Sequence, residues 1–202
     1  MPGPEPGQRW GILGGVFDPV HRGHLILAEE VLSLGQLDGV LFLPADKTPH
    51  RQLKPGASFK HRRQMLQQAL ADYPVFHLDP IENEQALTGY TLHALQALKK
   101  RYSGVEFQFI IGADNLSSFK TWHRWEEVLR EVRLLVGCRP DSEPVDLRDF
   151  PEDRVVLFDT SSVGLSSTVV RKTIKAGVTP EKLKEMVPDK VAEYILREGL
   201  YK

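Results

Sequence analysis

Trp10-Gly11-Ile12-Leu13-Gly14-Gly15-Val16-Phe17-Asp18-Pro19-Val20-His21-Arg22-Gly23-His24 is the stretch whose reading decides the fold. Its apolar start, residues 10–13, reads as a buried first strand that ends in glycines. The apolar-periodic residues 25–34 that follow read as a helix. Glycines at the strand end let backbone N–H groups approach a ligand with no side chain in the way. The helix start adds unpaired N–H groups and the positive end of a dipole, so the corner suits an anion. His21 and His24 lie on one side of it, with Gly23 keeping their surface open. The Gly-x-Gly-x-x-Gly dinucleotide pattern is absent, because Gly14-Gly15 runs into Val16-Phe17-Asp18, and a nicotinamide-cofactor dehydrogenase is disfavoured. The corner reads as a phosphate site.

Outward from it, strand-like and helix-like stretches alternate. Strands are expected at residues 11–13, 40–43, 75–78, 107–111, 133–136 and 155–158. Helices are expected at 25–34, 59–70, 91–101 and 124–130, then at 167–177 and 188–198. Short apolar strands separated by amphipathic helices mean βαβ units. The expected fold is α/β: a Rossmann-like doubly wound parallel sheet with helices on both faces and a small C-terminal helical region at 166–202. The whole of 1–202 reads as one domain, with 1–9 expected to be flexible. The polar stretch 139–154, with Pro140, Pro144 and Pro151, is the expected flexible connection. Ligands of such sheets sit at the carboxyl ends of the strands, near the point where strand order reverses.

Composition sets the remaining bounds. The 202 residues are 41% hydrophobic and 26% charged, which fits a globular chain with a substantial core. A net charge of −1 argues against non-specific nucleic-acid binding. The lone Cys138 makes no internal disulfide and fits a reducing compartment. Residues 1–9 lack the apolar core of a signal peptide, and no run approaches the roughly 20 apolar residues of a membrane helix. The cytoplasm is the expected location.

A His-x-x-His pair alone can be a helix cap, surface residues or two metal ligands. The glycines before it, Asp18-Pro19 at the turn and the helix after it favour a phosphate role, and no third ligand for zinc is evident. Asp18 is expected to hold that turn through a local backbone bond. A second constellation is Leu165-Ser166-Ser167-Thr168-Val169-Val170-Arg171. Ser166 or Ser167 is a good N-cap, and hydroxyls with free N–H groups make another anion-binding helix start. Arg171 lies one turn on and can return toward the same anion, unless this is an ordinary capped helix with a solvated arginine. Only a fold that joins the two motifs makes one site.

Together, Gly14-Gly15-Val16-Phe17-Asp18-Pro19-Val20-His21-Arg22-Gly23-His24 and Ser166-Ser167-Thr168-Val169-Val170-Arg171 resemble the signature of the HxGH nucleotidyltransferase superfamily. Within it, the chain resembles the nicotinate mononucleotide adenylyltransferases from about residue 11 to residue 201. The narrower likeness rests on Pro44-Ala45-Asp46-Lys47-Thr48-Pro49-His50-Arg51, Gly89-Tyr90-Thr91, Ile110-Ile111-Gly112-Ala113-Asp114-Asn115 and Trp122. The tail from Val187-Pro188-Asp189 to Leu200-Tyr201 matches as well. Gly89 stands where the family has serine, and His93-Ala94 replaces a common Asp-Thr pair. The cytidylyltransferase run Arg-Thr-x-Gly-Ile-Ser is absent.

The resemblance implies adenylyl transfer from ATP, carrying Mg2+, to nicotinate mononucleotide, with no metal site on the protein itself. It implies that His21, His24, Thr168 and Arg171 are catalytic. Around ATP it implies Gly14, Gly15, Val16, Phe17, Gly112, Asp114, Ser166 and Ser167 as well. For the mononucleotide it implies Arg51, Tyr90, Thr91, Trp122 and Arg139, while Trp125 is expected in the core. The attacking phosphate monoester is ionised at neutral pH, with a second pKa of about 6. No general base is therefore required, and the site needs donors that align phosphates. Other readings are the same chemistry on nicotinamide mononucleotide or phosphopantetheine, or a nucleotide sensor without turnover.

Overall fold

In a computed structural model, which describes residues 3–47, 55–140, 145–161 and 164–202, six strands form one wholly parallel sheet. They are β1 (Arg9–Gly15), β2 (Gly39–Pro44), β3 (Phe76–Leu78), β4 (Glu106–Gly112), β5 (Arg133–Cys138) and β6 (Val155–Asp159). Their order across the sheet is β3-β2-β1-β4-β5-β6, so the winding reverses between β1 and β4. Leu13 lies beside Ile110 in that pair, which brings the Gly14-Gly15 exit next to the Ile111-Gly112 exit. The doubly wound expectation holds, and all six expected strands are present.

The sheet is buried on both faces because its strands are apolar at both parities. Leu13, Val40, Phe42, Ile110 and Leu135 face one core, with Leu25, Ala28 and Val31 of helix α1 (Arg22–Leu34) and Met65, Leu66 and Ala69 of α2 (Phe59–Leu70). Ile12, Leu41, Leu43, Phe109, Ile111, Leu134 and Val136 face the other. That second core is closed by α4 (Thr91–Arg101) and α6 (Trp125–Glu131). The C-terminal helices α7 (Ser167–Lys175), α8 (Pro180–Met186) and α9 (Asp189–Glu198) pack onto the first core through Val170, Leu183, Val191 and Ile195. Two further one-turn helices, α3 (Ile81–Glu84) and α5 (Ala113–Leu116), follow β3 and β4.

Gly7 N donates to Gly104 O at 2.8 Å and Glu106 N to Gln8 O at 2.9 Å, so residues before β1 lie along the sheet end. Within the connection after β5, Phe150 is 9% exposed and packs on Phe119 and Trp125. Among the described residues, no helix is long and apolar enough to cross a membrane.

Candidate active site

The glycine exit of β1 is closed from beneath by a buried cation. Arg62 on α2 is 1% exposed, and its Nη1 donates to Val16 O at 2.6 Å and Ala45 O at 2.8 Å. One guanidinium thus holds the chain leaving β1 and the chain leaving β2. Phe17 takes φ +50°, a left-handed conformation that is strained for an aromatic residue. Its buried ring is packed at 5.0 Å against His24 and 5.8 Å against Phe42.

His21 is the N-cap of α1 and is 6% exposed. The two imidazoles stack, with centroids 3.7 Å apart and planes at 30°. His21 N donates to His24 Nδ1 at 3.2 Å, so neutral His24 carries its proton on Nε2. Gly23 lets the rings settle this way, because a Cβ there would meet His21 Nδ1 at 3.1 Å. Burial lowers the His21 pKa to about 4. Burial, and then the charge of His21, hold His24 well below its ordinary value. With no anion bound, both rings are neutral donors at neutral pH; an adjacent phosphate shifts them back toward the charged form.

The second motif reaches this corner across the whole chain. Ser166 caps α7 by accepting from Val169 N at 3.2 Å. Ser167 Oγ donates to Pro19 O at 2.9 Å, from 148 residues away in sequence. Arg171 Nη1 donates to Asp18 O at 2.7 Å, and its Nη2 to Thr168 Oγ1 at 3.3 Å. His21, His24, Thr168 and Arg171 are therefore drawn to one corner, above the free N–H groups that open α7. Asp18 does not hold the Pro19 turn by a local bond, as its sequence context suggested. Its carboxylate accepts from Gly56 N, Ala57 N and the Tyr201 hydroxyl, because the chain segments before α2 and after α9 fold over it.

Around the β4 exit the geometry is more open. A Cβ on Gly112 would meet nothing within 4 Å. Asp114, at the start of α5, pairs with Arg139 beyond β5, so two residues expected on different substrates engage each other. Tyr90 precedes Thr91, the first residue of α4, and its ring stacks on His123 at 4.3 Å. His93 stands edge-on to Tyr90 at 5.9 Å and bonds Thr88 Oγ1 at 2.7 Å. Trp122 is half-buried against Phe119 and Phe109. Trp125 is half-buried rather than in the core, packed against the second core through Phe119 and Phe150. Arg51 lies outside the described residues.

Sequence reasoning missed Arg62, His123 and the part played by Tyr201. The Trp122-His123 juxtaposition was visible as a dipeptide, whereas nothing local marked Arg62 as buried. Among the described residues, no three His, Cys, Asp or Glu side chains are grouped to hold a metal.

The sequence model of the cytidylyltransferase-like family matches residues 12–173. A protein of Thermomicrobium roseum named "Probable nicotinate-nucleotide adenylyltransferase" is 37% identical over 201 residues, covering 96% of this chain and 92% of its own. A protein of Syntrophotalea carbinolica with the same name is 35% identical over 216 residues, covering 96% of this chain and 98% of its own. Among solved structures, a Plasmodium falciparum nicotinic acid mononucleotide adenylyltransferase complexed with NaAD superposes with a TM-score of 0.80. It covers 96% of this chain and 97% of its own at 19% identity, which speaks to the fold.

Proposed function

The chain belongs to the nicotinate-nucleotide adenylyltransferase family, and we propose that it transfers the adenylyl group of ATP to nicotinate mononucleotide in the biosynthesis of NAD. The 5′-phosphate oxygen of the mononucleotide attacks the α-phosphorus of ATP. The bond from that phosphorus to the bridging oxygen breaks, pyrophosphate leaves, and nicotinate adenine dinucleotide remains. The cytoplasm, where ATP is made available, is its place of action.

One observation carries this reading: the Ser167–Pro19 and Arg171–Asp18 bonds unite the two motifs where the sheet reverses its winding. No proton has to be removed from an attacking phosphate that is already ionised. The site's task is then alignment and charge stabilisation. His21 and His24 offer ring N–H donors to the α-phosphate and to the β- and γ-phosphates. Thr168, Arg171 and the first amides of α7 hold the departing pyrophosphate, while Gly14, Gly15, Val16 and Phe17 give ATP a surface without obstructing side chains. Gly112 and Asp114 suit the adenosine ribose; Tyr90, Thr91, Trp122, Arg139 and Arg51 form the acceptor side.

The donors at the phosphate corner are imidazoles, guanidinium, hydroxyls and amides, which suit an anion. The carboxylate beside them, Asp18, is already occupied by Gly56, Ala57 and Tyr201. Mg2+ therefore enters as part of the Mg-ATP substrate, where it neutralises polyphosphate charge. The reading is tested by pyrophosphate release from Mg-ATP with nicotinate mononucleotide, nicotinamide mononucleotide or phosphopantetheine as acceptor. Preference for nicotinate mononucleotide is expected. Tight ATP binding with no release from any acceptor would leave a nucleotide sensor instead.

A further inference from the structure

Asp18 joins four separate parts of the chain and is 4% exposed. Oδ2 accepts the Gly56 amide at 2.7 Å, and Oδ1 accepts the Ala57 amide at 3.0 Å and the Tyr201 hydroxyl at 2.8 Å. The Arg171 guanidinium bonds the Asp18 carbonyl at 2.7 Å yet stands 3.6 Å from its carboxylate. A buried carboxylate beside a polyphosphate pocket works against the ligand in two ways. It repels the phosphates, and it competes with them for Arg171. The two amides and the tyrosine hydroxyl temper both effects by occupying its lone pairs.

Tyr201 is built into this contact. It is the next-to-last residue, held at φ +66° in the left-handed region that side-chain-bearing residues rarely adopt. Gly56 packs against it so closely that a Cβ would meet the ring at 3.1 Å and Arg171 Cδ at 3.4 Å. Burial, and then the Asp18 charge, push the Tyr201 hydroxyl far above its ordinary pKa, so it remains a donor.

We infer that Tyr201 is a positioning residue for adenylyl transfer, its hydroxyl holding the Asp18 carboxylate so that Arg171 stays available to the polyphosphate. The inference rests on the reading of Arg171 as a polyphosphate ligand. Without the hydroxyl, Oδ1 keeps only the Ala57 amide. With one donor fewer, the carboxylate keeps more of its charge unshared, which favours closure of the 3.6 Å gap between Oδ2 and Arg171 Nη1, and ATP must then compete for that guanidinium.

The test is a cycle of wild type, Tyr201→Phe, Arg171→Lys and the double variant, with KM, kcat, melting temperature and acceptor-free calorimetry of Mg-ATP. A bond from a neutral donor to a buried charge predicts that Tyr201→Phe raises the KM and Kd for Mg-ATP about 10-fold. The acceptor KM should stay within about 2-fold, and in the Arg171→Lys background the same change should cost less than about 2-fold. An unchanged KM for ATP overturns the inference. So does an equal loss in both backgrounds, or a parallel rise in both KM values that follows a falling melting temperature. Should Tyr201→Phe not fold, Gly56→Ala presses on the same ring and must raise the ATP KM in the same selective way; failure to do so overturns the inference. Wild type that binds ATP without releasing pyrophosphate would break the functional reading, while the binding cycle would still decide the role of Tyr201.

Discussion

At the β1 end of the cleft, His21 is 6% exposed and Asp18 4%, whereas at the β4 end the Asp114 side chain is 69% exposed and that of Arg139 43%. The first end is braced by long-range bonds: Ser167 to Pro19, Arg171 to Asp18, and Arg62 to Val16 and Ala45. At the second end, polar and aromatic groups engage one another, with Arg139 on Asp114 and Tyr90 on His123. Fixed donors are what phosphoryl transfer needs, because their value lies in not having to reorganise. An end whose groups partner each other has to exchange those contacts when the acceptor arrives. Loss of the imidazole donors at the first end should therefore fall on kcat, and damage at the second on the KM for the acceptor.

The largest effect is expected at the imidazoles. His21→Ala or His24→Ala should lower turnover by at least about 100-fold with the melting temperature retained, by the measure of a lost preorganised donor. Near-normal turnover in either variant would remove the distinction between the two ends. Next is the brace beneath them. Arg62→Met keeps much of the volume but leaves two strand-exit carbonyls without their donor, and should cost about 2–4 kcal/mol in urea unfolding. A loss below about 0.5 kcal/mol, the range of ordinary surface substitutions, would mean that Arg62 is not what fixes this end.

The same contrast explains what the sequence made legible. The six strands and the helices α2 and α4 declared themselves because periodicity is a local signal carried by several residues. The one-turn helices α3 and α5, four residues each, are too short to show a period. Asp18 read as a turn residue because its partners lie 38, 39 and 183 positions away. Arg62, in the run Lys60-His61-Arg62-Arg63, looked like part of a solvated face until tertiary packing buried it. The two phosphate motifs were readable one by one, but their union required the sheet order.

A smaller effect is expected at the acceptor end. Trp122→Ala should raise the KM for nicotinate mononucleotide about 10-fold while kcat changes little, as loss of ring stacking on the pyridine implies. The indole is already held by Phe119 at 5.0 Å and Phe109 at 6.0 Å, so the variant's melting temperature must be read alongside. An unchanged KM would take Trp122 out of the acceptor site. A fall in kcat alone would place it with the braced end.

The last effect is a pH dependence in which two buried groups act with opposite signs. His21 titrates near 4 in the folded chain and near 6.5 when unfolded, so the unfolded state binds more protons between those values. Stability from this group therefore falls as pH drops through that window. Glu82 on α3 is 6% exposed, accepts from Asp46 N at 3.3 Å, and is raised by burial to about 7 from 4.5. Between those values the folded state holds the extra proton, so stability from Glu82 falls as pH rises. Across the shared interval of 4.5 to 6.5 the two slopes run against each other, each up to about 1.4 kcal/mol per pH unit. Glu82→Gln should leave the histidine slope exposed, so that the ligand-free chain loses stability more steeply than wild type between pH 6.5 and 4.5. His21→Ala should tilt the profile the other way. Urea midpoints at those two pH values decide it: parallel profiles in wild type and both variants would mean that neither buried group titrates as its surroundings dictate.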